Sequence, residues 1–75
     1  MTLDRITRNP DLMAGKPCIR GMRVTVGTVV GLVASGHSED EILAAYPYLE
    51  RKDVRQALAY AALGVEEVEI PLPAA

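Results

Sequence analysis

No phenylalanine and no tryptophan occur among the 75 residues, and cysteine and histidine each occur once. Without those aromatics the core has to come from Val, Leu, Ile, Ala, Met and three tyrosines. A domain this short buries only about 60% of its unfolded surface. One cysteine excludes an internal disulfide, and a lone thiol suits a reducing cytosol. The chain is therefore expected to gain stability from a partner subunit, as a homodimer. Long apolar runs are missing as well. The longest, 24–36, is interrupted by glycine and falls short of the ~20 residues of a membrane span. Residues 1–8 carry charge where a secretory leader begins its apolar region, so no leader is expected. These absences point to a cytoplasmic chain with no membrane partner.

Charge of one sign is scarce in each part of the chain. Residues 1–24 hold five cations against two carboxylates, and residues 25–75 hold three against eight. The net charge of −2 argues against strong non-specific DNA binding. Segregated charge is compatible with ordinary solvation and with different partners on different faces.

Local signals give the order of elements. Residues 4–9 read as a short strand with Ile6 inward. Asn9 and Pro10 then open a helical turn that Leu12 and Met13 close and Gly15 ends. Residues 17–26 read as extended, with a bulge or kink at Gly21. A first helix is expected over 26–35, with Val26, Val29, Val30 and Val33 at helical spacing and Gly36 as its stop. Ser38 and Glu41 form a capping box for a second helix, which Pro47 ends at Tyr46. A third helix is expected over 50–63, with Val54, Ala57, Leu58 and Ala61 inward and Gly64 as terminator. Residues 1–64 thus read as one domain and 65–75 as an acidic tail. A short second helix, a tight turn and a longer third helix carrying cations at its start follow helix-turn-helix grammar.

The stretch GKPCIRGMRV (15–24) invites comparison with a phosphate-cradling loop. That loop needs G-x-x-x-x-G-K-[ST]; here Pro10 stands at the first glycine and Pro17 at the hydroxyl. Cys18, between Pro17 and Ile19, reads as a small buried residue. His37 has no second histidine to share a metal. Carboxylates cluster at helix starts, where capping accounts for them. No catalytic group, metal or cofactor is expected, and the stretch reads as scaffold that presents Lys16, Arg20 and Arg23. On the third helix, Lys52, Arg55, Gln56 and Ala59 share a face with Arg51 at its flank. Arg55 and Gln56 suit base edges, and Arg51 and Lys52 suit phosphates. The alternative is the solvent side of an amphipathic helix, with Glu50 and Asp53 of the wrong sign for DNA.

Two blocks carry a family resemblance. GKPCIRGMRVTV (15–26) is similar to G-K-P-x-I-x-G-T-R-[IV]-x-V of the domain-of-unknown-function family 433, with Met22 where that family usually has Thr. AYPYLERKDVRQALAYAA (45–62) is similar to its Y-P-x-L-x-x-x-D-[IV]-x-x-[AL]-L-x-Y-A, and ASGHSEDEIL between them to its G-x-S-x-x-E-I. The resemblance implies a mainly α fold: a short N-terminal β ribbon followed by a three-helix, homeodomain-like helix-turn-helix. It also implies a VapB-type antitoxin of a type II toxin–antitoxin pair, which sequesters a PIN-like ribonuclease and represses its own operon. Under that reading Arg51, Lys52, Arg55 and Gln56 meet operator DNA. Lys16, Arg20 and Arg23 meet the nuclease, together with Val68, Ile70 and Leu72 of the tail. The competing expectation is a dimerisation or interaction module that does not bind DNA.

Overall fold

The computed structural model describes residues 3–66. Its elements are β1 (Ile6–Thr7), a 3-10 turn (Met13–Gly15), β2 (Cys18–Ile19), α1 (Val26–Ala34), α2 (Glu39–Ala45) and α3 (Arg51–Glu66). The fold is mainly helical, with a two-stranded antiparallel ribbon ahead of three helices.

In the ribbon, Ile6 pairs with Ile19 and Thr7 with Cys18. Asn9 opens the following turn as expected: its side chain accepts from the Asp11 N–H at 2.9 Å. The turn itself is left-handed rather than an ordinary helical one, with φ of 51° at Met13, 56° at Ala14 and 76° at Gly15. Residues 17–26 are not one extended strand. Arg20 and Gly21 both have positive φ, 46° and 69°, and the Met22 N–H returns to the Ile19 carbonyl at 2.8 Å. This is the geometry of a two-residue mirror-image turn. It folds 24–25 back along β2, where Thr25 bridges Cys18. The kink expected at Gly21 is a full reversal.

Thr25 caps α1, its hydroxyl accepting from the Thr28 N–H at 3.1 Å. At the other end Gly36 enters the left-handed region at φ 94°. The His37 and Gly36 N–H groups then bond the Leu32 and Val33 carbonyls, the pairing that closes a helix on glycine. The capping box of α2 is present in both directions: Glu41 N–H to Ser38 Oγ, 3.1 Å, and Ser38 N–H to Glu41 Oε1, 2.9 Å. Such a cap is worth about 1 kcal/mol.

The core gathers Ile19, Val24, Val26, Val29, Ile42, Leu49, Val54 and Ala57, so ribbon, turn and all three helices contribute. Cys18 is buried, as its neighbours suggested. Two expectations for α3 are corrected. Leu58 is 37% exposed rather than inward, and the helix passes through Gly64 to Glu66. Gly64 keeps a φ outside the left-handed region, so it has no stop to impose. The proposed boundary between 64 and 65 therefore falls inside a helix.

Candidate interaction surface

The ribbon turn and the start of α3 are joined by charge. Asp53 lies in the first turn of α3 and has no exposed surface. Its Oδ1 accepts from Arg20 Nε at 3.1 Å and from Arg5 Nη1 at 3.0 Å; its Oδ2 accepts from Arg20 Nη2 at 2.8 Å and from the Glu50 N–H at 2.8 Å. The last bond closes one half of a capping box at the helix start. Arg20 Nη2 also donates to the Tyr48 carbonyl at 2.8 Å, and Arg5 Nη1 to Glu50 Oε1 at 2.6 Å. Burial acts to raise the Asp53 carboxyl. The Arg20 guanidinium, the Glu50 N–H and Arg5 outweigh it and hold the group below the usual carboxylate range. Arg5 and Arg20 are correspondingly raised by the carboxylates they bond.

Arg20 is therefore not a cation held out from the ribbon; it fastens the ribbon to α3. Lys16 and Arg23 do stand exposed, and neither has a carboxylate at ion-pair distance among the described residues. Lys16 lines an open cleft of about 460 Å³ with Pro17, Thr25, Gly27 and Thr28, beside the start of α1. Val68, Ile70 and Leu72 lie outside the described residues.

The polar face of α3 is largely engaged within the molecule. Gln56 Oε1 accepts from the Arg5 N–H at 2.9 Å, and its Nε2 donates to Asp4 Oδ1 at 2.8 Å. Arg51 pairs with Asp40, and with Glu39 at 3.6 Å. Arg55 Nε reaches Glu39 Oε1 at 3.3 Å. Of the four residues expected to meet DNA, only Lys52 is exposed with no ion pair or hydrogen bond from its side chain among the described residues.

Asp53 is the residue that sequence reasoning missed, having been counted as a repulsive neighbour of a DNA face. Two signals marked it. It sits three residues after Glu50, the position from which a carboxylate reaches back over a helix start, and four before Ala57, on the buried side.

A family model described as "Protein of unknown function (DUF433)" matches residues 6–61, from β1 into α3. The chain belongs to the DUF433 family. The uncharacterized protein y4eO of Sinorhizobium fredii (strain NBRC 101917 / NGR234) is 43% identical over 56 residues, which are 75% of this chain and 25% of that protein. The crystal structure of a DUF433 member from Anabaena variabilis ATCC 29413 superposes with a TM-score of 0.79 at 31% identity. It covers 85% of this chain and 63% of that one. This DUF433 chain thus spans a quarter of the length of its curated relative and somewhat under two thirds of its structural neighbour. Among the described residues no helix is long and apolar enough to cross a membrane, and no group of His, Cys, Asp and Glu is arranged to hold a metal.

Proposed function

We propose that this DUF433 chain is a non-catalytic, cytoplasmic binding protein: the antitoxin of a type II pair, acting first by docking on a PIN-like ribonuclease. The observation that carries the reading is the contrast between two sets of cations. Lys16 and Arg23 on the ribbon stand exposed without a carboxylate among the described residues, whereas Arg51 and Arg55 on α3 are already paired with α2. Exposed cations can meet an acidic nuclease site at no cost in broken ion pairs, and charge complementarity favours fast, specific encounter. Operator binding is the secondary role. It requires Arg51 to exchange Glu39 and Asp40 for phosphate and Arg55 to exchange Glu39 for a base edge, and it leaves Gln56 tied to Asp4 and Arg5. Those internal bonds favour the second reading, an interaction module that no longer reads DNA. A homodimer joined through the ribbon and α1 belongs to either reading, because α1 carries no charge and leaves Gly27 and Gly31 exposed.

The test is co-expression with the adjacent small open reading frame, followed by pull-down and ribonuclease assay. Retention of the neighbour with loss of its nuclease activity is the expected result. A neighbour that is neither retained nor inhibited overturns the antitoxin reading.

A further inference from the structure

The first turn of α2 holds three carboxylates, Glu39, Asp40 and Glu41, and its capping box uses only Glu41. Glu39 and Asp40 reach across to α3 instead. Arg51 and Arg55 are four residues apart on that helix and so share a face. Glu39 serves both of them: its Oε2 is 3.6 Å from Arg51 Nη1, and its Oε1 accepts from Arg55 Nε at 3.3 Å. Asp40 Oδ1 accepts from the other Arg51 terminal nitrogen, Nη2. These are the donors with which arginine meets a phosphate, and here carboxylates already hold them.

The local charge is set by this contact. Arg51, Lys52 and Arg55 bring three positive charges to the exposed side of α3, and Glu39 and Asp40 set two negative charges against them. The other acids at the start of α3 are matched from the ribbon side, Glu50 by Arg5 and Asp53 by Arg5 and Arg20. Without the two α2 carboxylates the three cations stand unopposed. The pairs are also wet, since the Arg55 side chain is 70% exposed. Exposed pairs hold weakly, so a dense polyanion can displace them at a small but definite cost.

We propose that Glu39 and Asp40 are built-in competitors of nucleic-acid phosphate for Arg51 and Arg55, and that they hold down the chain's affinity for DNA of arbitrary sequence. The role belongs to both readings of function. In an operator-binding chain it raises selectivity, because only a site that adds base contacts offsets the broken pairs. In an interaction module it keeps α3 off nucleic acid.

The test uses the full chain and a fluorescent DNA duplex of mixed sequence, about two helical turns long, with anisotropy read across a salt series. Glu39→Gln with Asp40→Asn removes the two charges, keeps their shape and leaves the Ser38–Glu41 box in place. This variant is expected to bind about three- to tenfold more tightly at low salt, the scale of the exposed pairs it no longer has to break. Its salt slope is expected to steepen by about one for each cation freed to meet a phosphate. Adding Arg51→Ala and Arg55→Ala to the variant is expected to cancel the gain. Asp11→Asn is the charge control, because Asp11 is exposed and pairs with no cation among the described residues. It is expected to leave binding near the parent's. Urea midpoints read separately what the two acids do for α2 through its dipole, a structural role that does not move DNA affinity. Affinity unchanged in Glu39→Gln with Asp40→Asn overturns the proposal, whether or not the parent binds. So does a gain that survives loss of both arginines, or an equal gain in Asp11→Asn, which assigns the effect to net charge. A parent whose binding depends on Arg51 and Arg55, beside a variant with no gain, overturns the competition alone and leaves operator binding standing. No binding by any of these proteins overturns both.

Discussion

Asp53 and Arg20, 33 residues apart, meet through two parallel bonds, Nε to Oδ1 at 3.1 Å and Nη2 to Oδ2 at 2.8 Å. The Asp53 side chain is wholly buried, and the Arg20 side chain is 37% exposed. A planar fork matched to a carboxylate is the strong form of this contact, and lysine cannot reproduce it. Arg20 makes this contact from φ 46° in the ribbon turn, a conformation that non-glycine residues seldom take.

Removing Asp53 leaves Arg5 and Arg20 crowded without their shared counter-ion. Asp53→Ala is expected to destabilise the fold by about 3 kcal/mol, the lower end for a broken buried pair because Arg20 keeps some water. Arg20→Lys is milder, about 1–2 kcal/mol, since one charge remains but the second bond and the Tyr48 carbonyl bond are lost. Urea unfolding midpoints check both. A loss for Arg20→Lys as large as that for Asp53→Ala shows that the fork geometry, not the charge, carries the contact.

The same group sets the acid limit. The Asp53 carboxyl is depressed in the folded chain relative to about 3.9 in the unfolded one. Its contribution is therefore complete above that unfolded value and is lost as the pH falls through the folded value. Glu50, lowered by its bond to Arg5, and Glu41, lowered by the Ser38 backbone and side-chain bonds, act in the same direction. Stability followed by urea unfolding from neutral to strongly acid pH is expected to fall only on the acid side. In Asp53→Asn that fall is shallower, from a lower plateau. An unchanged acid limb in this variant rules Asp53 out as its source.

What the sequence made legible was local. The starts of α1 and α2 and the stops at Gly36 and Pro47 follow from contacts within a few residues, and Ser38 with Glu41 forms the box its spacing implies. Gly64 misled because a glycine ends a helix only when the chain turns left-handed there, as it does at Gly36 and does not at Gly64. The site was hidden for a related reason. Arg20 meets Asp53 across 33 residues and Gln56 meets Asp4 across 52, and nothing in the local pattern reports which cation meets which carboxylate.

Gly31 separates a bare helix surface from an interface. A Cβ added there meets open space within one chain. Gly31→Ala is therefore expected to stabilise an isolated chain by about 1 kcal/mol through helix propensity. Where α1 packs closely on α1 of a second copy, the added methyl weakens association instead. Light scattering and thermal unfolding at two concentrations read both effects. A variant more stable than the parent, with unchanged mass, excludes Gly31 from any dimer contact.

The cation sets can be separated by paired substitutions. Lys16→Ala with Arg23→Ala removes two exposed charges and no internal ion pair among the described residues, so the fold is expected to hold. Nuclease association should slow, most visibly at low salt, as for charges at the edge of an interface. Arg51→Ala with Arg55→Ala instead frees Glu39 and Asp40 and leaves the ribbon untouched. If α3 also holds operator DNA, loss of Arg51 lowers affinity almost equally for all sequences and the salt slope by about one, whereas loss of Arg55 relaxes sequence preference at the base it meets. Gln56→Ala is a poor probe of base reading, because it breaks two bonds to Asp4 and Arg5 and unsettles the ribbon. The measurements are association rate with the nuclease and DNA anisotropy across a salt series, on variants whose circular dichroism matches the parent. Unchanged nuclease association after loss of Lys16 and Arg23 removes the ribbon from the interface. DNA binding that is unaltered by loss of Arg51 and Arg55 removes α3 from the operator and leaves the interaction module as the better reading.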